Sequence, residues 1–495
     1  MNFSIHDIPA SVRARPATRL LNYAKLIGMN EGMEPSIEER RICFTCVSEP
    51  YLQETIQRDG IREQCSYCSF EGKTFSVAQV AELMKEILDT LYHPLEIPTD
   101  ESEPARGKLI AQTIGDELLA EVTVAEDVRR VLAECRAAEH EDETLVDSIF
   151  HPARPYVKKC LVDSSELDWG WLRFENTVKT KARYFNVEAH EFLTFIFDGI
   201  RGHRTTHGRT AVIEAGPGTA FEKLYRARVF QTEKEFREAL PRPDVSLGPP
   251  PHARATAGRM NAAGISVFYG ATRAAVAYSE VRPPAGSSII VGCFELTQTL
   301  NLLDLMALVS LADETGSPFD ARYLQRLKRT QFLRGLTERL SKPVMPSDEP
   351  FDYLPTQAVA DFLAMEPSPG LDGIIYPSVQ AGGFERLKNP RYRVFGHPPF
   401  HDCNIVLFHK AARVQALEEV AELYVPSDHD YLGFELPPRE GPEYIVWTEP
   451  PKEAEVHADD APLKFKSLTA HRIRSVSIEV EDVKTARWLK EQAQE

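Results

Sequence analysis

The sequence of 495 residues lacks any apolar run approaching the roughly 18 residues that a membrane-spanning helix needs. Its start, MNFSIHDIPASVRARPATRLLNYAKLIG, lacks the basic, then apolar, then small-residue order of a signal peptide. We therefore expect a cytoplasmic protein with no membrane partner. The sequence also shows no internal repeat.

Positive charge is scarce as well, because 57 Lys and Arg stand against 74 Asp and Glu, a formal net charge of −17. An acidic chain is a poor binder of nucleic acid or anionic membrane, so bulk nucleic-acid binding is not expected. A local basic pocket for a small anion is still allowed. With 43% hydrophobic and 26% charged residues, the composition excludes disordered and collagen-like proteins.

The length predicts about three domains. Residues 71–205 have the apolar spacing of helices, whereas short strands between Pro/Gly turns come after the polar, Gly-rich segment 204–221. We predict an α+β fold, with a mainly helical N-terminal half and a mixed α/β domain behind it. The expected segments are an N-terminal segment (1–40), a zinc ribbon (41–70), a helical domain (71–205), a linker (206–221), the mixed α/β domain (222–410) and an acidic C-terminal extension (411–495).

Four of the eight cysteines form two CxxC pairs separated by 18 residues, Cys43-x2-Cys46 and Cys65-x2-Cys68. Two such pairs can place four thiolates around one Zn²⁺, whereas redox CxxC motifs occur singly. A closed four-thiolate site has no open coordination position, so we expect a structural zinc ion. The charges between the pairs are not basic, so nothing supports nucleic-acid binding by this ribbon.

A basic segment interrupts the acidic chain between Lys223 and Arg282, with ten Lys/Arg and five Asp/Glu. A solvated surface would account for this composition. The alternative is a pocket for a phosphorylated ligand, because arginine side chains grip phosphate oxygens in pairs.

Six short motifs occur in order in this segment and beyond it. They are YRAR (225–228), GRMNAAGISVFYGA (258–271), AAVAYSEV (274–281), YLPTQ (353–357), DGIIYPSVQAGG (372–383) and NIVLF (404–408). The ordered set resembles the RES domain over about residues 222–410. The resemblance implies a fold similar to ADP-ribosyltransferases and NAD⁺ as the substrate. Some family members act as toxins that hydrolyse or phosphorolyse NAD⁺, and others modify a protein.

The RES domain is named for an Arg, a Glu and a Ser, which match Arg226, Glu280 and Ser378 in this sequence. The resemblance implies that these three residues are catalytic. Arg228 is close enough to Arg226 for the two to exchange roles. NAD⁺ contacts are implied for Arg226, Arg259, Tyr269 and Ser378.

The implied chemistry is cleavage of the nicotinamide–ribose bond, which passes through an oxocarbenium-like state. Nicotinamide leaves as a neutral molecule, so no general acid is needed, and a carboxylate near the developing positive charge helps. We assign that carboxylate to Glu280. The arginines would hold the pyrophosphate or the ribose, Tyr269 would stack on nicotinamide or ribose, and Ser378 would bind the ribose or orient Glu280. Second-tier candidates for shaping the pocket are Thr356, Gln357, Gly382 and Gly383.

Each candidate also has a purely structural interpretation. Glu280 would be a solvated residue at a helix end, the arginines would form surface ion pairs, Tyr269 would be a core aromatic, and Ser378 would be a turn serine.

The region upstream, including WLRFENTVKTKARYFN (171–186), resembles the helical HEPN/RES N-terminal domain. HEPN ribonucleases use an Arg and a nearby His, and Arg201 with His207 fits that loose pattern, so a ribonuclease is one alternative function. A zinc-dependent interaction protein without catalysis is another. The resemblance favours a bacterial toxin or antiviral defence effector, restrained by an antitoxin, another regulatory protein or its own N-terminal domain. The oligomeric state is left open.

Overall fold

A computed structural model describes residues 36–97, 107–139, 148–159, 161–380, 402–417, 461–473 and 476. The chain divides into two compact units. The first comprises Met1–Asp198 and Val309–Leu336, and the second comprises Gly199–Leu308 and Thr337–Glu495. None of the described helices is both long enough and apolar enough to span a bilayer.

The first unit begins with a small three-stranded sheet that carries the four clustered cysteines. Its antiparallel strands lie in the order β1-β3-β2. The Glu49 carboxylate caps α1 by accepting a hydrogen bond from the Leu52 amide at 2.7 Å. The elements are β1 (Arg41–Cys43), α1 (Pro50–Asp59), β2 (Ile61–Gln64) and β3 (Glu71–Ser76).

Helices form most of the first unit beyond β3, as the apolar spacing predicts. Ser76 and Gln79 form a capping box at the start of α2, and the Asn186 side chain caps α6 by accepting from the Ala189 amide. Three short strands make a second antiparallel sheet, β4-β6-β5. The elements are α2 (Val77–Leu91), β4 (Tyr92–Pro94), β5 (Lys108–Leu109), α3 (Ile110–Leu118), α4 (Val122–Glu139), β6 (Pro155–Lys158), α5 (Ser165–Thr180) and α6 (Val187–Phe197).

A stretch much later in the sequence completes the first unit. Phe319, Leu324 and Leu327 join the core formed by the helices around α2 and α4. The Phe332 ring lies 6.0 Å from the Trp171 ring. Residues 309–336 therefore belong to the helical unit, although they lie inside the segment that we expected to form the α/β domain.

The second unit is built on one eight-stranded sheet, in the order β14-β10-β8-β9-β13-β12-β11-β7. Among its described strand pairs, only β11–β12 is parallel. The strands are β7 (Val212–Ala215), β8 (Lys223–Phe230), β9 (Phe268–Ala271), β10 (Ser288–Leu296), β11 (Leu300–Asp304), β12 (Gly373–Pro377), β13 (Cys403–Leu407) and β14 (Leu463–Arg472). The helices from residue 199 onward are α7 (Glu233–Ala239), α8 (Pro243–Ser246), α9 (Ala274–Glu280), α10 (Leu305–Leu308), α11 (Ala321–Ser341), α12 (Glu349–Asp352) and α13 (Leu354–Met365).

Apolar clusters cover both faces of this sheet, as the residues of β10 show. Ile290 and Phe294 point into one apolar cluster, while Ile289 and Val291 point into another that includes Val276 of α9. This alternation matches the two-residue period of a strand. The helical N-terminal region, the four-cysteine ribbon and the sheet-rich C-terminal domain confirm the predicted fold class.

Two segments differ from the expected organisation. The predicted linker (206–221) contains β7, which pairs with β11 at one edge of the sheet. The predicted acidic extension (411–495) contains β14, which pairs with β10 at the other edge. Polar, Gly-rich composition predicts loops, but the hydrogen bonds of a neighbouring strand are enough to order short segments as edge strands.

The buried ion pair between Arg209 and Asp304 anchors the segment before β7. The Asp304 side chain is fully buried, and one of its oxygens also accepts hydrogen bonds from the amides of Met306 and Ala307. Burial raises the pKa of Asp304, and the nearby guanidinium opposes this rise.

We expect Arg209→Met to lower the free energy of unfolding by about 3 to 5 kcal/mol, because it leaves a buried carboxylate without its cation. The loss should be smaller at pH 5 than at pH 8, since a carboxyl whose folded pKa is raised binds a proton more tightly when folded. Denaturant titration at both pH values measures this. Arg204→Met, at an exposed position nearby, is the control. Equal stability of the two variants would contradict the expected role.

Candidate active site and candidate metal centre

The carboxylate of Glu280 is held by two side chains from elsewhere in the second unit. Ser378 Oγ donates to Glu280 Oε1 at 2.5 Å, and Asn404 Nδ2 donates to the same oxygen at 2.8 Å. Ser378 is fully buried and Asn404 nearly so, whereas Glu280 is exposed at the end of α9. The structure therefore joins Glu280 and Ser378, which were both predicted, and adds Asn404, which was not.

Three adjacent strands explain this meeting. Strand β13 pairs with β9 on one side and with β12 on the other. Strand β9 leads into α9 and thus to Glu280, while β12 ends just before Ser378. The Ser378 amide donates to the Asp402 carbonyl at 2.9 Å, which fixes the start of the loop. Residues about 100 positions apart in sequence thus converge at one end of the sheet.

Tyr269 on β9 is fixed by the loop that precedes it. Its hydroxyl donates to Asn261 Oδ1 at 2.8 Å and accepts from the Met260 amide at 3.0 Å. Burial raises the pKa of Tyr269 to about 12, so the hydroxyl stays protonated near neutral pH. Gly258 is needed for this approach, because a Cβ there would lie 2.8 Å from the Tyr269 hydroxyl.

Arg226 on β8 has a polar atom without a partner in the part of the chain that the structure describes. Its Nη1 is buried and makes no hydrogen bond among the described residues, and its guanidinium lies 5.1 Å from the centre of the Phe268 ring. Burial lowers the pKa of Arg226 to about 10, which still leaves it charged at neutral pH. Arg228, two residues on, is exposed and donates to the Ser246 carbonyl. Of the two arginines, Arg226 is the enclosed one.

Arg259 already uses much of its hydrogen-bonding capacity within the chain. Its Nη1 donates to the carbonyls of Leu340 and Lys342 at 3.1 and 2.9 Å, and its guanidinium lies 4.7 Å from the centre of the Tyr353 ring. Arg259 thus ties its loop to the end of α11. The second-tier candidates hold the backbone of the same loop, since Thr356 donates to the Arg259 carbonyl and Gln357 to that of Gly258.

Tyr376 on β12 is a further side chain near these groups, and sequence reasoning did not select it. Its pKa lies well above the usual value, first because it is buried and then because Tyr269 and Glu280 disfavour its ionised form, while Arg259 acts in the opposite sense. Tyr376 therefore lies within electrostatic reach of three predicted site residues. Its position two residues before Ser378, on the same face of an extended segment, is the signal that could have found it.

The four clustered cysteines form the second candidate site. Cys43 Sγ lies 3.4 Å from Cys68 Sγ, Cys46 Sγ lies 3.8 Å from Cys65 Sγ, and all four sulfurs lie within 4.8 Å of one another. Four zinc–sulfur bonds of about 2.3 Å in a tetrahedron place sulfurs about 3.8 Å apart. These thiols can therefore hold a metal ion of that kind.

Local backbone geometry supports the cysteine cluster. Each CxxC pair forms a tight turn, with the Cys46 amide donating to the Cys43 carbonyl and the Ser69 amide donating to the Cys65 carbonyl. A hydrogen bond from the Phe70 amide holds the pKa of the Cys68 thiol at about 7, which favours the thiolate that binds metals.

The alternative nuclease pair is placed differently. The guanidinium of Arg201 donates to the carbonyls of Pro369 and Gly370 and to the Asn301 side chain, so it supports a loop of the sheet unit. His207 is exposed. Both residues belong to the second unit rather than to the helical one. Two other candidates, Gly382 and Gly383, lie outside the described residues.

Comparison with known families adds to this geometry. Residues 223–431 match the model of the RES domain, and residues 58–200 match the model of the HEPN/RES N-terminal domain 1. The matches confirm both expected resemblances. The Arg201–His207 pair lies just beyond the second match. No curated protein and no solved structure matches the chain.

Proposed function

We propose that this protein consumes NAD⁺ by cleaving the nicotinamide–ribose bond of the molecule. The proposal starts from the match of the chain to a RES domain that follows a HEPN/RES N-terminal domain. The RES family is associated with NAD⁺-consuming toxin activity. The observation that carries the proposal is the Glu280 carboxylate, which two buried side chains hold in place and which has no ion pair among the described residues. Positioned in this way, it can stabilise a developing cation.

The cleavage of the nicotinamide–ribose bond requires few protein groups other than that carboxylate. The bond between ribose C1′ and the nicotinamide nitrogen breaks with its electron pair moving to nitrogen, so nicotinamide leaves as a neutral molecule. The positive charge passes to the ribose, where the negative charge of Glu280 stabilises it. A water molecule, a phosphate or a protein side chain then attacks C1′, and a nucleophile that carries a proton loses it.

The other side chains would bind the substrate. Arg226 would hold the pyrophosphate, since its enclosed Nη1 has no acceptor within the described ranges and a phosphate oxygen would supply one. Tyr269, fixed by Asn261, would present its ring to the nicotinamide or the adjoining ribose. Ser378 would orient Glu280. Arg259 would act mainly by anchoring its loop, given its bonds to the end of α11.

The cysteine cluster would hold a structural Zn²⁺ ion. With four thiolates bound, the ion has no open position for substrate, so it would stabilise the N-terminal unit rather than take part in the reaction. The charges between the two CxxC pairs are not basic, so they give no support for a nucleic-acid role of the ribbon.

Purified protein incubated with NAD⁺ tests the proposal directly. We expect nicotinamide to be released, with ADP-ribose as the co-product in hydrolysis. If the reaction requires inorganic phosphate, it is phosphorolysis instead. If radiolabel from NAD⁺ stays on a protein, it is transfer. Calorimetry that detects no NAD⁺ binding, together with no nicotinamide release, would favour the non-catalytic alternative.

The cellular role proposed here is that of a toxin or defence effector. Loss of NAD⁺ stops growth, so expression in bacteria should be toxic and Glu280→Ala should relieve the toxicity. Restraint by an antitoxin or another regulatory protein is expected for the same reason. The pairing of a helical unit with the RES domain is compatible with restraint within the chain.

The two neighbouring arginines of β8 provide a matched test of substrate binding. We expect Arg226→Met to lower kcat/KM for NAD⁺ by about 10- to 100-fold, which corresponds to losing a hydrogen bond between charged groups. Arg228→Met should change it less than about twofold, because Arg228 is exposed.

Thermal unfolding of the same variants without NAD⁺ separates this role from a structural one. Arg226→Met should unfold at the wild-type temperature or above it, since it removes a buried donor that has no partner among the described residues. A large loss of stability with unchanged kcat/KM in the folded fraction would show that Arg226 only supports the fold.

A further inference from the structure

Asn404 is the polar exception in the central strand β13. All five residues of the strand are buried, and the other four are apolar: Cys403, Ile405, Val406 and Leu407. The backbone of Asn404 is paired on both sides, with Ala271 of β9 and Tyr376 of β12 as its register partners. The sheet therefore does not need the amide side chain, and burying an amide is costly unless it is hydrogen-bonded.

That amide meets the proposed catalytic carboxylate. Asn404 Nδ2 donates to Glu280 Oε1 at 2.8 Å, the oxygen that also accepts from Ser378. Glu280 Oε2 accepts no hydrogen bond within the described part of the chain. The arrangement fixes one oxygen by two neutral donors from the protein interior and leaves the other for a ligand.

We infer that Asn404 is a positioning residue, which holds the Glu280 carboxylate with Oε2 directed at the substrate ribose. This inference rests on the proposed function. A neutral amide suits the task, because it donates without adding charge, whereas a second cation would cancel the negative charge that the oxocarbenium-like state requires. Ser378 alone would leave the carboxylate free to rotate about a single hydrogen bond.

The test is the pH dependence of NAD⁺ consumption by Asn404→Asp. Two carboxylates at hydrogen-bond distance share a proton, and the pair loses it only at raised pH. While that proton is present, the protonated Asp at position 404 can donate to Glu280 as the amide does. Once it is lost, the two carboxylates repel each other. We therefore expect the activity of Asn404→Asp relative to wild type to fall at least about tenfold as pH rises from about 5 to 8.

Other ionisable groups lie near the pair, including Asp402, which pairs with Arg273, and Arg282, two residues beyond Glu280. Tyr376 on β12 and Tyr269 on β9 both have raised pKa values, at about 12 for Tyr269, and stay neutral in this range. A change between pH 5 and 8 that appears in Asn404→Asp but not in wild type thus reports the new carboxylate.

Two further variants complete the experiment. Asn404→Ala should lower kcat by about 10- to 100-fold at every pH with little change in KM, as expected for loss of a hydrogen bond to a charged group. Asn301→Asp, an exchange of the same kind on β11 outside the site, should leave the pH profile unchanged. Circular dichroism spectra confirm that each variant is folded. If Asn404→Asp does not fold, Asn404→Ser replaces it, because serine keeps a hydrogen-bond donor but has a shorter side chain. Its kcat should fall as much as that of Asn404→Ala.

The outcomes separate the two proposals. An inactive wild type overturns the proposed function itself. If the wild type is active, two results would overturn the role of Asn404 alone. One is a pH profile of Asn404→Asp that is parallel to the wild-type profile. The other is a folded Asn404→Ser variant with the wild-type kcat.

Discussion

Glu280→Gln should reduce nicotinamide release from NAD⁺ by about 10²- to 10³-fold, the cost of removing one positioned electrostatic group from a transition state. The exchange keeps the shape of the side chain and an oxygen that can accept from Ser378 and Asn404, so it removes the charge and little else. The effect should lie in kcat rather than in KM, because the positive charge on the ribose develops only as the bond breaks.

The matched control is Glu238→Gln, at an exposed glutamate of α7 in the same unit, which forms a long ion pair with Lys234. Exposed pairs of this kind contribute little to stability, so this variant should keep wild-type activity and stability. Nicotinamide is quantified by chromatography over a time course at saturating NAD⁺. If Glu280→Gln retains activity within about twofold of wild type, Glu280 is not the group that stabilises the cation.

The second large effect is expected at the cysteine cluster. Cys43→Ser with Cys65→Ser should abolish zinc binding and remove the cooperative unfolding transition of the N-terminal unit. A structural zinc ion contributes on the order of 10 kcal/mol to folding, which exceeds the net stability of most domains. Both sulfurs are buried, and Ile42 and Val47 next to the first CxxC pair belong to the core around α2. Loss of the ion thus loosens that core as well.

Elemental analysis and thermal unfolding measure the two consequences. Wild-type protein prepared without chelator should contain about one zinc ion per chain. Cys135→Ser, which changes a half-buried cysteine of α4 outside the cluster, should keep both the metal and the transition. Wild-type protein that is folded and free of zinc would show that the sulfurs are near one another for packing reasons alone.

Local sequence signals determined much of the fold. The Ser76 and Gln79 capping box starts α2, and the apolar run Ser288–Leu296 forms β10. The CxxC spacing predicted a four-sulfur cluster, and the structure brings those sulfurs together. These features succeed because each depends on residues near one another in sequence, where propensity, capping and turn geometry operate.

The candidate site was predictable only in part. The resemblance supplied Arg226, Glu280 and Ser378, and the contact between Ser378 and Glu280 agrees with the orienting role suggested for the serine. It supplied neither Asn404 nor Tyr376. A polar residue in the apolar stretch NIVLF and a tyrosine before a serine have no distinctive local pattern, so the sequence offered no reason to join them to Glu280.

Strand pairing decided the rest. Asn404 reaches Glu280 because β13 lies between β9 and β12, and Arg201 donates to the carbonyls of Pro369 and Gly370 because its loop packs on a segment far along the chain. Contacts between distant parts of the sequence also place β7 and β14 at the edges of the sheet and residues 309–336 in the helical unit. The sequence by itself determined which short segments could be helices, strands or metal ligands. Only tertiary structure decided which of them meet, because such contacts depend on hydrogen bonds and burial between residues many positions apart.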